Sequence, residues 1–411
     1  MRPHARAYCG LLSFCESPTA QAGDKIQTTP NERDTLFAPT APSPGPAPLL
    51  DRVLLVGLYK DRGSSIKSYA LSDDGSLTSI GDSNAGGNPS WIAAAGPRGE
   101  GTLTSLLTVS ETGNTVASLS LGCDGKVTET SRVSSQGAGP VHLATDPLGE
   151  HAFVANYGGG TVAVLPVTQG GDSAVSLGEA TQTVDFGASA HAHSTYLSGG
   201  GVYVPTLGLD QVQQLTFEGG KLSKAHEPLS VPQDQGPRHL AFHPTLPLAV
   251  LANEGNGTTQ PTIELLGVDA AQGLSTIATY EASGPYSPPD LYPAEVLFSP
   301  GGSFMLVSVR DASTQKRDGI AVFQVGAESL TFKDYTAVGH YPRSMTLTKT
   351  GSQAGLLIVG NQKDNSLTLL NFDLASGALH KAAEDLPLGD SPAFVGIFET
   401  AKGCAAQATL V

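Results

Sequence analysis

The chain has 411 residues, a length that suits two or three domains of about 150 residues each. Its 23 Lys+Arg and 38 Asp+Glu give a net charge of −15, which argues against nucleic acids and anionic membrane surfaces as partners. With 39% hydrophobic and 15% charged residues, 49 Gly and 28 Pro, the composition predicts a folded, turn-rich, mainly β protein. No apolar run approaches the length of about 18 residues that a membrane-spanning helix needs.

Residues 1–49 predict a disordered leader, because Pro, Thr and Ser dominate much of it and no strand or helix periodicity runs through it. A short apolar patch at residues 7–15 follows Arg2 and Arg6, and residues 20–22 resemble a cleavage site, so secretion is an alternative. The patch is interrupted by glycine and serine, and we therefore expect a cytoplasmic protein. Four scattered cysteines without a CxxC pair argue against a disulfide framework and a zinc ribbon.

Beyond residue 50 the chain repeats with a period of about fifty residues. Units begin at Asn88, Gly139, His191, Gly236, Tyr292, Tyr341 and Ser391, at intervals of 51, 52, 45, 56, 49 and 50 residues. Within a unit, short runs rich in Val, Leu and Phe alternate with Gly, Asn, Asp and Pro, which is typical of strands joined by hairpin turns. No segment combines a helical period with caps, so we expect little helix. Units of about four antiparallel strands predict an all-β fold of the propeller type.

The two ends of the repeat region predict how the ring closes. The unit from Ser391 runs out of chain after one strand, whereas residues 53–71 resemble the outer strands of a unit that lacks its inner one. Together they complete a blade. The sequence therefore predicts a seven-bladed β-propeller over residues 50–402, closed by the C-terminal strand joining the N-terminal blade, and a tail at residues 403–411. A ring of six or eight blades is the alternative if one repeat is miscounted.

Ionisable side chains recur at equivalent positions of the repeat. The inner strand of each blade begins after the Gly-Pro or Tyr-Pro turn, and the second strand runs back antiparallel to it. The start of the first strand and the end of the second therefore face one mouth of the central channel. First-strand starts carry His142, His191, His193, Arg238, His239, Glu295 and Arg343, and second-strand ends carry Asn156, Asn253, Glu254 and Arg310. This concentration predicts a site at one mouth.

Several of these strings resemble the seven-bladed propeller lactonase family, namely GPVHLATDPLGEHAFVANYGGG, HAHS, GPRHLAFHP with LANE, and YPAEVLFSPGGSFMLVSVR. That family includes propeller-type 6-phosphogluconolactonases and, more distantly, carboxy-cis,cis-muconate cyclases, and the resemblance spans residues 52–400. It implies a catalytic set matched through HAHS, GPRH, ANE and SVR, which is His193, Arg238, Glu254 and Arg310. The predicted substrate-binding residues are His142, His191, His239, Glu295 and Arg343.

The resemblance implies a lactonase that acts on a small anionic lactone, with a sugar-phosphate lactone favoured. Glu254 or His193 is then the base, while Arg238 and Arg310 bind the anion and offset the oxyanion charge. The alternatives are an isomerase of the muconate-cyclising type that uses the same four groups, and a non-catalytic propeller that binds a protein partner. A structural salt-bridge network is the non-functional interpretation of the four residues. No cofactor and no metal are predicted, because His191 and His193 have no third ligand nearby, and the sequence specifies no oligomeric state.

Overall fold

The structure is a computed structural model that describes residues 50–59, 65–95, 105–169, 175–255, 259–282, 290–350, 352 and 354–400. Within these residues the chain forms seven sheets, and its only helices are two 3-10 helices of three residues, Ala188–Ala190 and Leu207–Leu209. No helix in this part of the chain is long and apolar enough to span a membrane. The predicted leader and the predicted tail lie outside the described residues.

Each sheet is one blade, and strands are numbered in chain order. Blade 1 contains β1 (Arg52–Tyr59), β2 (Ile66–Leu71), β3 (Leu77–Ser83) and the last strand, β31 (Ser391–Glu399). Blade 2 contains β4 (Ile92–Ala95), β5 (Ser105–Ser110), β6 (Thr115–Leu121) and β7 (Val127–Ser134). Blade 3 contains β8 (Pro140–Thr145), β9 (His151–Asn156), β10 (Thr161–Gln169), β11 (Val175–Leu177) and β12 (Gln182–Asp185).

The remaining blades follow the same order from the inner strand outward. Blade 4 contains β13 (Tyr196–Ser198), β14 (Gly201–Thr206), β15 (Gln211–Glu218), β16 (Lys221–Lys224) and β17 (Leu229–Ser230). Blade 5 contains β18 (Pro237–Phe242), β19 (Leu248–Asn253), β20 (Thr262–Asp269) and β21 (Gly273–Glu281). Blade 6 contains β22 (Leu291–Phe298), β23 (Phe304–Asp311), β24 (Gly319–Val325) and β25 (Leu330–Ala337). Blade 7 contains β26 (Pro342–Lys349), β27 (Ala354–Asn361), β28 (Ser366–Asp373), β29 (Leu379–Lys381) and β30 (Leu386–Pro387).

The last strand closes the ring. β31 pairs antiparallel with β1, with Val53 opposite Phe398 and Gly57 opposite Phe394, so the C-terminal strand is the inner strand of the N-terminal blade. The inner strands also contact one another around the centre, β31 touching both β26 and β4. The predicted seven-bladed β-propeller and its closure are confirmed, and a ring of six or eight blades is excluded.

The apolar cores lie between adjacent blades. There are seven such clusters among the described residues, one for each pair of neighbouring blades; between blades 5 and 6, for example, Val250 and Leu265 pack with Val307 and Phe323. The second strand of a blade is therefore covered on both faces, and β23 is buried at all eight positions. Each such apolar side chain contributes about 2 kcal/mol on burial. This packing holds the inner strands rigidly around the channel.

Left-handed backbone conformations mark the entry into the inner strands. Asn88, Gly139, His191, Gly236 and Tyr341 have φ values of 58°, 59°, 49°, 60° and 65°. All five are repeat starts predicted from the sequence, so the repeat boundary is the turn that carries the chain onto the channel mouth. Asn and Gly adopt this conformation at low steric cost, whereas His and Tyr adopt it rarely.

Cys123, on the turn between β6 and β7, is disulfide-bonded. The scattered spacing of the four cysteines, which predicts no disulfide framework, gave no indication of this bond.

Candidate active site

β-bulges at the start of the inner strands bring successive side chains to the channel mouth. In a regular strand only every second side chain would face the channel. The pairing of β18 with β19 shifts between Pro237 and His239, which leaves Arg238 as an extra residue. Similar shifts occur at Arg343 in β26 and at Glu295 in β22. Arg238, His239, Glu295 and Arg343 consequently line one pocket, as bulges near active sites commonly redirect a side chain.

Glu254 and Arg310 come from the ends of second strands, as the sequence predicts. Glu254 follows β19 directly, and its backbone N–H donates to the Gly236 carbonyl at 2.7 Å. Arg310 lies in β23 opposite Tyr292, and its guanidinium donates to the Pro293 carbonyl at 3.0 Å. Backbone contacts with the first strand of the same blade or its preceding turn therefore hold both residues at the mouth.

Glu254 lies between two buried arginines. Its Oε1 is 2.8 Å from a guanidinium nitrogen of Arg310, and its Oε2 is 3.3 Å from Nε of Arg238. Arg238 also donates to the Ala294 carbonyl at 2.6 Å. Burial acts to raise the pKa of Glu254, but Arg310 and Arg238 outweigh it and lower the pKa to about 2. The carboxylate is therefore ionised at neutral pH and acts as the counter-ion of two guanidiniums.

A third arginine, Arg343, lies at the same mouth and is held there by a tyrosine. Its guanidinium donates to the Tyr59 hydroxyl at 2.8 Å and lies 5.2 Å from the centre of that ring. The hydroxyl in turn donates to Glu111 at 2.8 Å. Burial raises the pKa of Tyr59 to about 12, although Arg343 acts to lower it. Because a neutral phenol stands between Arg343 and the Glu111 carboxylate, the positive charge of Arg343 is only partly compensated.

His193 lies on an irregular stretch at the inner edge of blade 4. Strand β13 begins only at Tyr196, and the preceding residues are held by a bridge of Ala192 with Thr206 and by the His193 N–H, which donates to the Pro205 carbonyl. The ring is buried, and its Nδ1 has no hydrogen-bond partner among the described residues. Burial first, and Arg238 second, lower the pKa of His193 well below its usual value. The imidazole is therefore neutral at neutral pH.

His239 and Glu295 form a buried hydrogen-bonded pair. The distance from His239 Nδ1 to Glu295 Oε1 is 2.8 Å, and their side chains are 5% and 9% exposed. Burial raises the pKa of Glu295 to about 8, against the opposing effect of Arg238. Burial and Arg238 lower the pKa of His239 well below its usual value. Five predicted site residues thus line one pocket: His193, Arg238, His239, Glu295 and Arg343.

His142 and His191 lie apart from that pocket. His142 stacks on Trp91 with ring centres 4.0 Å apart and lines a separate cavity with Tyr196. Trp91 lines both spaces, and the His142 ring lies 5.7 Å, centre to centre, from that of His239, so His142 borders the pocket without lining it. His191 stacks on Tyr157 at 4.5 Å and is half-buried. The pattern of polar and ionisable residues did not identify the Trp91 indole.

A comparison with known protein families matches residues 53–396 to the family described as "Lactonase, 7-bladed beta-propeller". The chain belongs to this family. Among curated relatives, the 6-phosphogluconolactonase of Pectobacterium carotovorum subsp. carotovorum (strain PC1) is 29% identical over 278 residues, which cover 66% of this chain and 78% of the relative. The 6-phosphogluconolactonase of Sodalis glossinidius is 27% identical and covers 63% and 74%. The periplasmic gluconolactonase of Pseudomonas aeruginosa has the same fold, with a TM-score of 0.72, 24% identity, and coverage of 84% and 98%.

Aromatic residues also surround the mouth in this lactonase-family protein, and the pattern of polar residues in the sequence does not reveal them. Tyr341 packs on the guanidinium of Arg310 at 5.1 Å and on the Lys363 ammonium at 3.9 Å, measured to the ring centre. Tyr59 ends β1, the second strand of blade 1, and Tyr157 follows the end of β9. Both tyrosines are at second-strand ends, which is the position that identified Glu254 and Arg310 in the sequence. Extending the rule for second-strand ends to aromatic residues would therefore have found Tyr59 and Tyr157.

One group of side chains in the described part of the chain brings three metal-type ligand atoms together. It consists of Asp146, Glu150 and His151, on the turn between β8 and β9. Asp146 already accepts hydrogen bonds from the backbone N–H groups of Glu150 and His151, and its second oxygen lies 3.2 Å from His151 Nδ1. This turn is at the other end of β8 from the channel mouth, so the group is not part of the candidate active site.

Proposed function

We propose that this protein hydrolyses a small anionic lactone at the channel mouth. The observation that carries the proposal is the gathering of three buried or half-buried arginines, Arg238, Arg310 and Arg343, around one ionised carboxylate that contacts two of them. The chain as a whole has a net charge of −15, so this local excess of positive charge is a specific feature. Guanidinium groups in a desolvated site bind carboxylates and phosphates through paired hydrogen bonds.

Lactone hydrolysis needs a base for the attacking water and donors for the oxyanion that forms at the ring carbonyl. The arginines supply the donors and the anion site. Two neutral imidazoles, those of His193 and His239, line the pocket that Arg238 and Arg343 also line. Both rings are uncharged at neutral pH and are therefore candidate proton acceptors, His239 once its partner Glu295 is ionised above a pKa of about 8.

The structure argues against Glu254 as the base, which the sequence analysis proposed beside His193. Both of its oxygens face arginines, and its pKa of about 2 makes it a weak proton acceptor at neutral pH. In this proposal Glu254 instead fixes the guanidiniums of Arg238 and Arg310, so that their free N–H groups are preorganised for the substrate anion.

The names of the relatives favour a sugar lactone, and the three arginines favour one that carries a phosphate. The test is turnover of the purified protein on 6-phosphogluconolactone, beside unphosphorylated gluconolactone as the matched substrate and carboxymuconate as the cyclase substrate. We expect hydrolysis above the spontaneous rate, with kcat/KM for the phosphorylated lactone higher by about 10²-fold or more, since the charged contacts are absent from the neutral one. Turnover of carboxymuconate with no lactone hydrolysis would assign the site to the cycloisomerase reaction instead.

A further inference from the structure

We propose that the buried His239–Glu295 pair is the proton acceptor for the attacking water, with His239 Nε2 as the accepting atom and Glu295 as the residue that positions the ring. This assignment rests on the proposed lactone hydrolysis. It departs from the sequence analysis, in which Glu254 or His193 was the base and the pair only contacted substrate.

The geometry of the pair is that of a carboxylate-oriented imidazole. Nδ1 of His239 lies 2.8 Å from Oε1 of Glu295, and the carboxylate oxygen also accepts the Val296 N–H at 3.3 Å. The backbone N–H of Glu295 donates to Ser308 Oγ at 3.0 Å, which fixes the bulged residue. No described residue hydrogen-bonds to Nε2 of His239, and the ring lines the pocket beside Arg238. One nitrogen is therefore held in place while the other is left for a reactant.

The other candidate bases lack this arrangement. Glu254 is held between two guanidiniums. The Nδ1 atom of His193 has no hydrogen-bond partner among the described residues, so nothing in this part of the chain selects its tautomer. His142 lines the neighbouring cavity, and its Nδ1 accepts the backbone N–H of Thr195 and not a hydrogen bond with a carboxylate. In the described structure, His239 is the pocket imidazole whose orientation a carboxylate sets.

The protonation of the pair depends on the groups that surround it. Those facing it from the neighbouring elements are Arg238, Arg310, Arg343, Glu254, His142, His193 and Tyr196. Burial raises the pKa of Glu295 to about 8, so the pair holds two protons below that pH and one above it. In the one-proton form, Nδ1–H donates to the Glu295 carboxylate and Nε2 carries a lone pair. That form is the base, and it predominates above about pH 8.

The step balances within the pair and the substrate. Water forms a C–O bond to the lactone carbonyl carbon while its proton moves to Nε2, and the carbonyl electron pair becomes the oxyanion that the arginines stabilise. The carbonyl then re-forms, the bond to the ring oxygen breaks, and that oxygen takes the proton from Nε2. Lactone and water give the hydroxy acid, and the pair returns to its one-proton form.

The test is the pH profile of kcat/KM for Glu295→Gln with the lactone that the wild type hydrolyses. For the wild type we expect a rising limb with a midpoint near pH 8. Glutamine keeps the shape but removes the carboxylate charge, and its amide can hold His239 in the wrong tautomer. We expect kcat/KM on the alkaline plateau to fall by about 10²–10⁴-fold, and the rising limb near pH 8 to disappear or move to another pH. His239→Gln should show a similar fall.

The matched control is Glu264→Gln in β20. Glu264 is also buried, its pKa is also raised by burial, and its carboxylate accepts a hydrogen bond from Thr276 at 2.7 Å, but it lies outside the pocket. Its pH profile should match that of the wild type. If kcat/KM of Glu295→Gln still rises with a midpoint near pH 8, the His239–Glu295 pair is not the base, however much the rate has fallen. The proposed lactone hydrolysis would stand in that case. A wild type that hydrolyses no lactone overturns the proposed function and the pair with it.

Discussion

Glu254, which is half-buried, and Glu295, which is buried, are carboxylates at the same channel mouth, on blades 5 and 6, and their environments shift their pKa values in opposite directions. Burial acts to raise both. Two guanidiniums in direct contact outweigh it at Glu254 and lower the pKa to about 2, whereas Glu295, paired with a neutral imidazole, has a pKa of about 8. The direct partner, more than the depth of burial, therefore decides which carboxylate stays ionised. Pairs with pKa values driven apart commonly divide the roles in an active site.

The comparison separates an anion-binding region around Glu254 from a proton-transfer region around Glu295. One side chain belongs to both. Arg238 contacts Glu254 through Nε and donates from another nitrogen to the carbonyl of Ala294, the residue before Glu295. Its charge lowers the pKa of both carboxylates. Substitutions in the two regions should therefore have different effects on activity, pH profile and stability.

Arg238→Ala should have the largest effect, because it removes the residue that the two regions share. We expect kcat/KM on the lactone to fall by about 10²–10⁴-fold, or roughly 3–5 kcal/mol of transition-state stabilisation. The rising limb of the pH profile should also move to higher pH, since Arg238 no longer lowers the pKa of Glu295. Steady-state kinetics across pH measure both effects.

Arg132→Ala is the control for that variant. Arg132 lies on β7 and pairs with Glu129 at the surface, where a comparable loss of a guanidinium should leave kcat/KM unchanged. If Arg238→Ala keeps wild-type turnover but melts at a much lower temperature, the arginine cluster is structural and the anion site lies elsewhere.

Glu254→Gln should mainly lower stability, because it leaves Arg238 and Arg310 buried without their shared counter-ion. We expect a loss on the order of 3 kcal/mol in the free energy of unfolding at neutral pH. The pKa of Glu254 is lowered in the folded state from 4.5 to about 2, so its contribution is complete above pH 4.5 and disappears as the pH falls toward 2. The difference between wild type and variant should shrink over that range in urea titrations.

Glu129→Gln offers the matched surface case. It removes the carboxylate partner of Arg132, an exposed pair that should contribute less than about 1 kcal/mol. Equal losses for Glu254→Gln and Glu129→Gln would mean that the channel network is no more tightly coupled than a surface ion pair.

The sequence was sufficient to predict the ring. Repeat starts at Asn88, Gly139 and Gly236 coincide with left-handed turns, and the incomplete seventh unit at Ser391 identified the closing strand. Turn chemistry and apolar alternation are local signals that survive in a single chain. The same regularity placed Glu254 correctly, because a strand end is a position in the repeat.

The contacts within the site could not be predicted from the sequence, because they depend on irregularities in strand pairing and on distances between blades. The bulge that brings both Arg238 and His239 to the pocket is a one-residue shift in pairing, which the period-two pattern of a regular strand does not anticipate. His142 occupies the equivalent position in blade 3, yet it lines the neighbouring cavity, in contact with Trp91. Which carboxylate is ionised depends on distances between blades, and these distances exist only in the folded ring.

His142 should give the smallest effect, but it tests burial separately from a charged partner, because it is buried and has no carboxylate beside it. Its Nδ1 accepts the Thr195 N–H at 3.3 Å, and its Nε2 has no partner among the described residues. Burial first, then His239 and Arg238, lower its pKa well below the usual value. Below about pH 6.5 the unfolded chain binds a proton at this position and the folded chain does not, so acid favours unfolding.

His142→Asn should therefore reduce the acid sensitivity of the fold, because asparagine can still accept the Thr195 N–H but cannot be protonated. Between about pH 6.5 and 5.5, the decline in unfolding free energy should be smaller than in the wild type by up to about 1.4 kcal/mol per pH unit. His380→Asn, at an exposed position on β29, is the matched control and should keep the wild-type slope. Urea titrations at several pH values measure these slopes. If His142→Asn and the wild type lose stability in parallel, the imidazole is protonated inside the fold, and burial without a counter-charge does not govern its titration.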